Sequence, residues 1–147
     1  MKMSTKGRYA VRILLGVARR QKNGPVSKKI IAAEECISAD YIEQIIVPLK
    51  NEGLVTGLRG VKGGFVLAKD PSKITVYDIL RASEGDMKLV DCENNECKGR
   101  DKNLCVTRPV WEGACKVLEA YFSKITLKNL LDKETELVKS RAASYTI

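Results

Sequence analysis

Two short amphipathic stretches, each opened by a serine and set about three residues apart, run directly into two β-type segments joined by Gly60-Val61-Lys62-Gly63-Gly64. No other feature narrows the fold as far. Lys28–Glu35, behind Ser27, carries Ile30, Ile31 and Ala33 as its apolar positions. Residues 39–52, behind Ser38, carry Ile42, Ile45, Ile46 and Leu49 at helical spacing. A break at Cys36-Ile37 separates the two, which is the outline of a helix-turn-helix. Pro48 falls inside the second helix, where it removes a hydrogen bond and bends the axis; Gly53 is placed to end it. Residues 54–59 and 65–68 then flank a glycine-rich turn that holds a lysine, and glycine supplies the positive φ values a tight hairpin tip requires. A helix-turn-helix followed by a basic hairpin predicts a winged helix, mainly α with a small β-wing.

The flanking chain fits around this unit. Thr5–Arg20 sets Tyr9, Ala10, Ile13, Leu14 and Val17 at helical spacing, with Ser4 or Thr5 as N-cap and Asn23-Gly24-Pro25 as the stop. Beyond Asp70-Pro71, residues 75–83 read as a short helix with Asp78 three residues after Thr75, a capping box with Asp in place of Glu. A polar loop follows over residues 85–108, and Pro109 suits the first turn of the next helix. That helix sets Trp111, Ala114, Cys115, Leu118, Tyr121, Phe122 and Ile125 on one stripe. This is more apolar surface than a small wing domain has to cover. A long C-terminal dimerisation helix is the expected use, with core packing as the plainer alternative. Thr126 caps a last amphipathic stretch (Leu127, Leu130, Leu131, Leu137), and the chain from Ser140 is expected to fray. The predicted organisation is a winged helix-turn-helix DNA-binding region over 1–74, a linking helix and cysteine loop over 75–108, dimerisation helices over 109–139 and a tail over 140–147.

Charge is distributed unevenly along the 147 residues. Residues 1–74 hold 14 Lys/Arg and 6 Asp/Glu, whereas residues 75–147 hold 12 of each, so the net +8 lies in the first half. Confinement to one half points to a polyanionic partner, nucleic acid being the usual one; a merely solvated basic surface is the alternative. No apolar run approaches the ~18 residues that span a bilayer. No secretory signal pattern is present, so a cytoplasmic protein that avoids membranes is expected.

Geometry selects the DNA-facing residues. The second helix of such a motif lies in the major groove with its N-terminal part toward base edges. With Ile42, Ile45, Ile46 and Leu49 turned inward, Ser38, Asp40, Tyr41, Glu43 and Gln44 are left to face outward. Gln suits adenine, and Glu accepts from cytosine N4. Glu43 is therefore a specificity candidate, with a plain solvated charge as the alternative. Arg59 and Lys62 in the wing would reach the backbone or a minor groove. Lys6, Arg8 and Lys28, near helix starts, are candidate phosphate contacts that position without specifying sequence.

Three of the five cysteines, Cys92, Cys97 and Cys105, lie within 14 residues of polar loop. Structural cysteines are normally embedded in apolar sequence, as Cys36 and Cys115 are here. The trio reads as a metal or cluster site, with reversible thiol oxidation, or no role at all, as alternatives. Zinc prefers closely paired ligands and no C-x2-C pair is present, whereas iron–sulfur clusters accept less regular thiolate spacings. Both usually take four ligands. With no histidine in the chain, the fourth must be a carboxylate (Asp91, Glu93, Glu96 or Asp101), a distant cysteine, a small molecule or a group from another subunit. The lack of histidine, of a Ser/Lys pair and of a phosphate-loop signature argues against an enzyme.

Taken together, these motifs resemble the iron–sulfur cluster regulator family of winged-helix transcription factors, the IscR, NsrR and CymR type. The likeness covers nearly the whole chain. It is carried by Ser4-Thr5-Lys6-Gly7-Arg8-Tyr9-Ala10, by Ser38 with Tyr41-Ile42-Glu43-Gln44, by Gly53-Leu54-Val55, by Arg59-Gly60-Val61-Lys62-Gly63-Gly64-Phe65, and by the cysteine trio followed by Trp111. It implies a homodimer with the long helix at its interface and a double-stranded operator as partner. Ser38, Glu43, Gln44 and Arg59 would occupy base- or groove-reading positions. Thr5, Tyr9, Gly60 and Gly63, inside the same motifs, join Lys6, Arg8, Lys28, Asp40, Tyr41 and Lys62 in the expected DNA-binding set. Cys92, Cys97 and Cys105 would hold a cluster, 2Fe–2S or 4Fe–4S, whose state alters operator affinity, with zinc as the alternative metal. The chain departs from the family's usual C-x5-C-x5-C loop, with a histidine three residues after the last cysteine. Here the spacing is C-x4-C-x7-C with Arg108 in the histidine's place, and Arg8 stands near where some members carry an aspartate that completes the site. The ending Ser144-Tyr145-Thr146-Ile147 resembles the branch whose members bind cysteine synthase, which makes that enzyme a second candidate partner.

Overall fold

The computed structural model describes residues 3–90 and 104–144. It contains six α-helices and one hairpin among those residues: α1 (Thr5–Arg20), α2 (Lys28–Glu35), α3 (Ala39–Asn51), β1 (Val55–Leu58), β2 (Gly64–Leu67), α4 (Val76–Glu84), α5 (Arg108–Ser123) and α6 (Leu127–Ser144), with single 3₁₀ turns at Gln21–Asn23 and Pro71–Lys73. The helix starts are set locally. Ser4, Ser27 and Ser38 each accept a hydrogen bond from the amide three residues on. Thr75 and Asp78 form the reciprocal capping box expected of them. Thr126 and Asn129 make the equivalent pair at the start of α6: the Thr126 amide donates to Asn129 Oδ1 at 2.9 Å, and the Asn129 amide donates to Thr126 Oγ1 at 3.1 Å. α3 runs on through Pro48, and Gly53 follows it in the left-handed region at φ 64°.

One core joins these elements. Ile13, Leu14 and Val17 of α1 meet Ile31 of α2, Ile42, Ile45, Ile46 and Leu49 of α3, Val55 of β1, Ile79 of α4 and Leu127 of α6, all buried. The buried cluster therefore crosses position 74 in both directions. The start of α6 is held there by backbone pairing as well: Val76 N donates to Ile125 O at 2.8 Å, and Leu127 N donates to Ile74 O at 2.9 Å. Further along α6, Glu134 accepts from Arg19 Nε at 2.9 Å and from Arg19 Nη2 at 2.7 Å, which fastens that helix to the end of α1.

Two expectations change. Ile30 and Ala33 are exposed, and the inner face of α2 is Ile31 with Ala32 at the core's edge. A two-turn helix can bury only one narrow face, and Ile30 is rotated by about 100° from Ile31. Residues 140–144, expected to fray, continue α6. Among the described residues, no helix is long and apolar enough to cross a membrane.

Candidate nucleic-acid interface

The inner stripe of α3 is as the spacing predicts: Ile42, Ile45, Ile46 and Leu49 are buried, and this leaves Asp40, Glu43 and Gln44 exposed on the opposite face. Ser38 is exposed too, its Oγ accepting from Tyr41 N at 3.2 Å, which leaves its hydroxyl proton to donate elsewhere. Tyr41 differs from expectation. It is half-buried against the core, edge-on to Tyr9 with ring centroids 6.0 Å apart and an interplanar angle of 85°. Arg12 lies over the Tyr9 ring at 5.2 Å and forms an ion pair with Glu35 at 2.6 Å. Tyr9 and Tyr41 thus form the seam between α1 and α3. The signal was present in the sequence, since Tyr41 stands four residues before Ile45 and so shares its face.

α2 brings Lys28 beside this surface. Lys28 is the first residue of the helix, and its Nζ donates to Glu43 Oε2 at 3.0 Å. In α1, Thr5 and Arg8 are exposed and Lys6 is half-exposed, around a buried Gly7. That glycine packs against Glu84 at the end of α4, where a Cβ would overlap the carboxylate.

The wing is a two-stranded antiparallel ribbon in which Val55 pairs with Leu67 and Leu58 with Gly64. Its tip closes through Gly63 N donating to Gly60 O at 2.9 Å, with Val61 and Lys62 at the corners. Gly60 sits at φ 116°, open to glycine alone at little cost. A Cβ at Gly63 would lie 2.4 Å from Leu58 O and 2.8 Å from Gly60 O. These two glycines shape the turn that holds Arg59 and Lys62 out in solvent. The root of the wing has a support that periodicity does not reveal. Val26 and Phe65 exchange two backbone hydrogen bonds of 2.9 Å each, and Gln21 Oε1 accepts from Leu67 N at 2.9 Å. The segment leading into Lys28 is thereby paired to the wing itself.

The cysteine set is only partly within view. Cys92 and Cys97 lie outside the described residues, as do Asp91, Glu93, Glu96 and Asp101. Cys105 is half-exposed, its Sγ 3.4 Å from Thr107 Oγ1. Arg108, at the family's histidine position, donates to Glu112 at 2.6 Å. Cys115 is half-buried and accepts from Leu89 N at 3.3 Å. Cys36, grouped by its apolar neighbours with buried thiols, is instead exposed. It occupies the left-handed C-cap of α2 at φ 53°, because the helix must reverse there to reach α3. Among the described residues, no three His, Cys, Asp or Glu side chains gather as a metal site, so the donors in view do not by themselves make up a ligand set.

α5 buries none of its residues within one chain. Val110, Trp111, Val117 and Tyr121 are exposed, with Leu118 and Phe122 half-buried beside them. Tyr121 and Phe122 meet edge-on at 5.4 Å. Sixteen residues of helix with this much open apolar and aromatic surface form a patch of the kind that marks an interaction face. α6 ends at Ser144, and Tyr145-Thr146-Ile147 fall outside the described residues.

Comparison with known proteins agrees with this geometry. The Rrf2 family model, described as an iron-dependent transcriptional regulator, matches residues 3–133. The HTH-type transcriptional regulator IscR of Serratia proteamaculans is 34% identical over 139 residues, spanning 94% of this chain and 84% of that protein. Among solved structures, IscR of T. potens superposes with a TM-score of 0.75 at 37% identity, covering 93% of this chain and 90% of that one. CymR of B. subtilis, described as the global cysteine regulator, superposes with a TM-score of 0.74 at 34% identity, covering 90% and 98%.

Proposed function

The chain belongs to the Rrf2 family of transcriptional regulators, and on that premise we propose that it acts in the cytoplasm as a homodimer. In this reading α3 and the wing bind an operator, and a cluster at the cysteine loop controls affinity. The DNA-binding, non-enzymatic role follows from the family. The finer reading is carried by one observation: α3 turns Asp40, Glu43 and Gln44 outward beside a wing that projects Arg59 and Lys62. Ser38, Glu43 and Gln44 would then read base edges in the major groove, and Arg59 a minor groove. Lys6, Arg8 and Lys62 would meet phosphates. Thr5 and Tyr9 would contribute from the start of α1, Asp40 and Tyr41 from α3, and Gly60 and Gly63 through the shape of the tip. The open face of α5 supports pairing with a second copy, which would present two recognition helices to two half-sites.

For the cysteine loop, three thiols at irregular spacing suit an iron–sulfur cluster better than zinc, and the family is described as iron-dependent. Cys92, Cys97 and Cys105 would supply thiolates to it. When bound, such a cluster supplies a centre sensitive to oxidation and to loss of iron. Anaerobic purification tests this directly. Iron and acid-labile sulfide in stoichiometric amount are expected, with operator affinity changing when they are removed. Colourless protein with stoichiometric zinc would replace the cluster with a structural metal. For the tail, the resemblance of Ser144-Tyr145-Thr146-Ile147 to the cysteine-metabolism branch of the family is the ground for docking on cysteine synthase. Removal of residues 144–147 should abolish that complex, and persistence of binding would refute it.

A further inference from the structure

We propose that Lys28 is a positioning residue for Glu43, setting which base pair α3 selects, and is not a phosphate contact. The inference rests on the reading of Glu43 as a base-reading residue.

The geometry is built from both sides. Lys28 cannot slide, because Val26 is paired to Phe65 of the wing and Ser27 caps α2 through Ile30 N at 3.4 Å. The backbone at Glu43 is anchored likewise, between the buried Ile42 and the buried Ile45–Ile46 pair, while both side chains reach the surface. The two meet at 3.0 Å across the helix-turn-helix.

Charge explains why each needs the other. A lysine at the first position of a helix faces the positive end of the helix dipole, which is unfavourable without a counter-charge. An exposed carboxylate on a helix presented to phosphates is repelled unless it is neutralised. The Lys28–Glu43 bond relieves both. It also engages Oε2 and leaves Oε1 with open acceptor positions, as a base-edge donor such as cytosine N4 requires. With its ammonium placed against Glu43 Oε2, Lys28 would act on DNA through the carboxylate's orientation.

A double-mutant cycle tests this on the full-length protein. Binding to operator variants differing at each base pair, and its salt dependence, are measured for wild type, Lys28→Met, Glu43→Gln, the double variant and Lys28→Arg. Both sites are on the surface, and a thermal melt confirms folding in each case. Lys28→Met is expected to lower the preference at the base pair read by Glu43 by up to about fivefold, the upper end for an exposed ion pair. It should do nothing further to that preference or to the salt slope in the Glu43→Gln background. Lys28→Arg should retain the wild-type preference. If Lys28→Met instead weakens all sequences alike and lowers the logarithmic salt slope by about 0.9 in both backgrounds, Lys28 contacts a phosphate and the proposal fails. An unaltered preference in Lys28→Met overturns it equally. If Glu43→Gln alone leaves the preference unchanged, the base-reading role of Glu43 has failed, and the positioning role falls with it.

Discussion

The carboxylate of Glu84, the last residue of α4, closes the first turn of α1 at Gly7. Its Oε1 accepts from the Gly7 amide at 3.0 Å and from Ser4 Oγ at 2.5 Å. An anion there satisfies open amides and complements the helix dipole. It also explains a glycine inside a helix, since any side chain at position 7 would enter the volume of the carboxylate.

The two residues should therefore be strongly non-additive. Glu84→Ala is expected to lower stability by about 1 kcal/mol through loss of its bonds to Gly7 and Ser4, with Ser4 still capping the helix. In the Glu84→Ala background, Gly7→Ala should raise stability, by up to about 1 kcal/mol, because alanine is the better helix former. In the wild-type background, Gly7→Ala must displace the carboxylate and should lose that gain. Urea unfolding midpoints of the four proteins give the cycle, and simple additivity would show that Glu84 does not occupy the site in solution.

At the wing, Gly63→Ala brings a Cβ against two backbone carbonyls that cannot yield as a side chain can. The tip should re-form in another turn and carry Lys62 away from its present direction. Affinity for operator and random DNA should fall together, with the salt slope reduced by about 0.9, the share of one phosphate contact. The melting temperature should stay close to that of wild type, because the tip is exposed. A selective loss of operator binding alone would contradict this reading of the tip.

Asp70 is held below its ordinary value of 3.8 by the Ser72 hydroxyl and then by the Ser72 amide, with Lys73 and Lys128 adding weaker attraction against a small desolvation effect. The bonds are 2.5 Å to the hydroxyl and 2.8 Å to the amide. A carboxyl depressed in the folded state stabilises it above the unfolded value and loses that contribution as pH falls through the folded value. The relevant window thus begins at 3.8 and runs downward. Carboxyl NMR should place the Asp70 midpoint below 3.8 in wild type, and Ser72→Ala should move it upward. An unmoved midpoint would assign the shift to the residue-72 amide and the lysines instead of the hydroxyl.

If α5 pairs with its copy, Trp111 and Tyr121 are its natural anchors, as large amphipathic rings exposed near the two ends of the helix. Trp111→Glu should weaken dimerisation by about 30-fold or more, the effect of a hot-spot loss of about 2 kcal/mol. Sedimentation across a concentration series measures this. A dimer unchanged in both Trp111→Glu and Tyr121→Glu would place the interface elsewhere.

What could be read directly from the chain was what depends on neighbours in sequence. Ser27, Ser38 and Thr75 announce helix starts because a cap reaches only three residues. The wing glycines announce a turn because φ is a property of one residue. Ile42, Ile45, Ile46 and Leu49 announce the inner face of α3, and with it the outward position of Glu43 and Gln44, because helical period fixes direction. Apolar character misplaced Ile30 and apolar neighbours misplaced Cys36, since neither says which face a short helix can bury or where its cap must turn outward.

The sequence alone therefore determined the winged helix, its basic half and the outward face of α3. Tertiary structure decided how that face is held. Gly7 and Glu84 are 77 residues apart, Arg19 and Glu134 are 115 apart, and Lys28 and Glu43 are 15 apart across a turn. Whether such charges meet depends on the packing of helices around a shared core, and no local pattern encodes that distance. Lys28 is the sharpest case: no spacing in the sequence pairs it with Glu43, and only the fold sets its ammonium on that carboxylate.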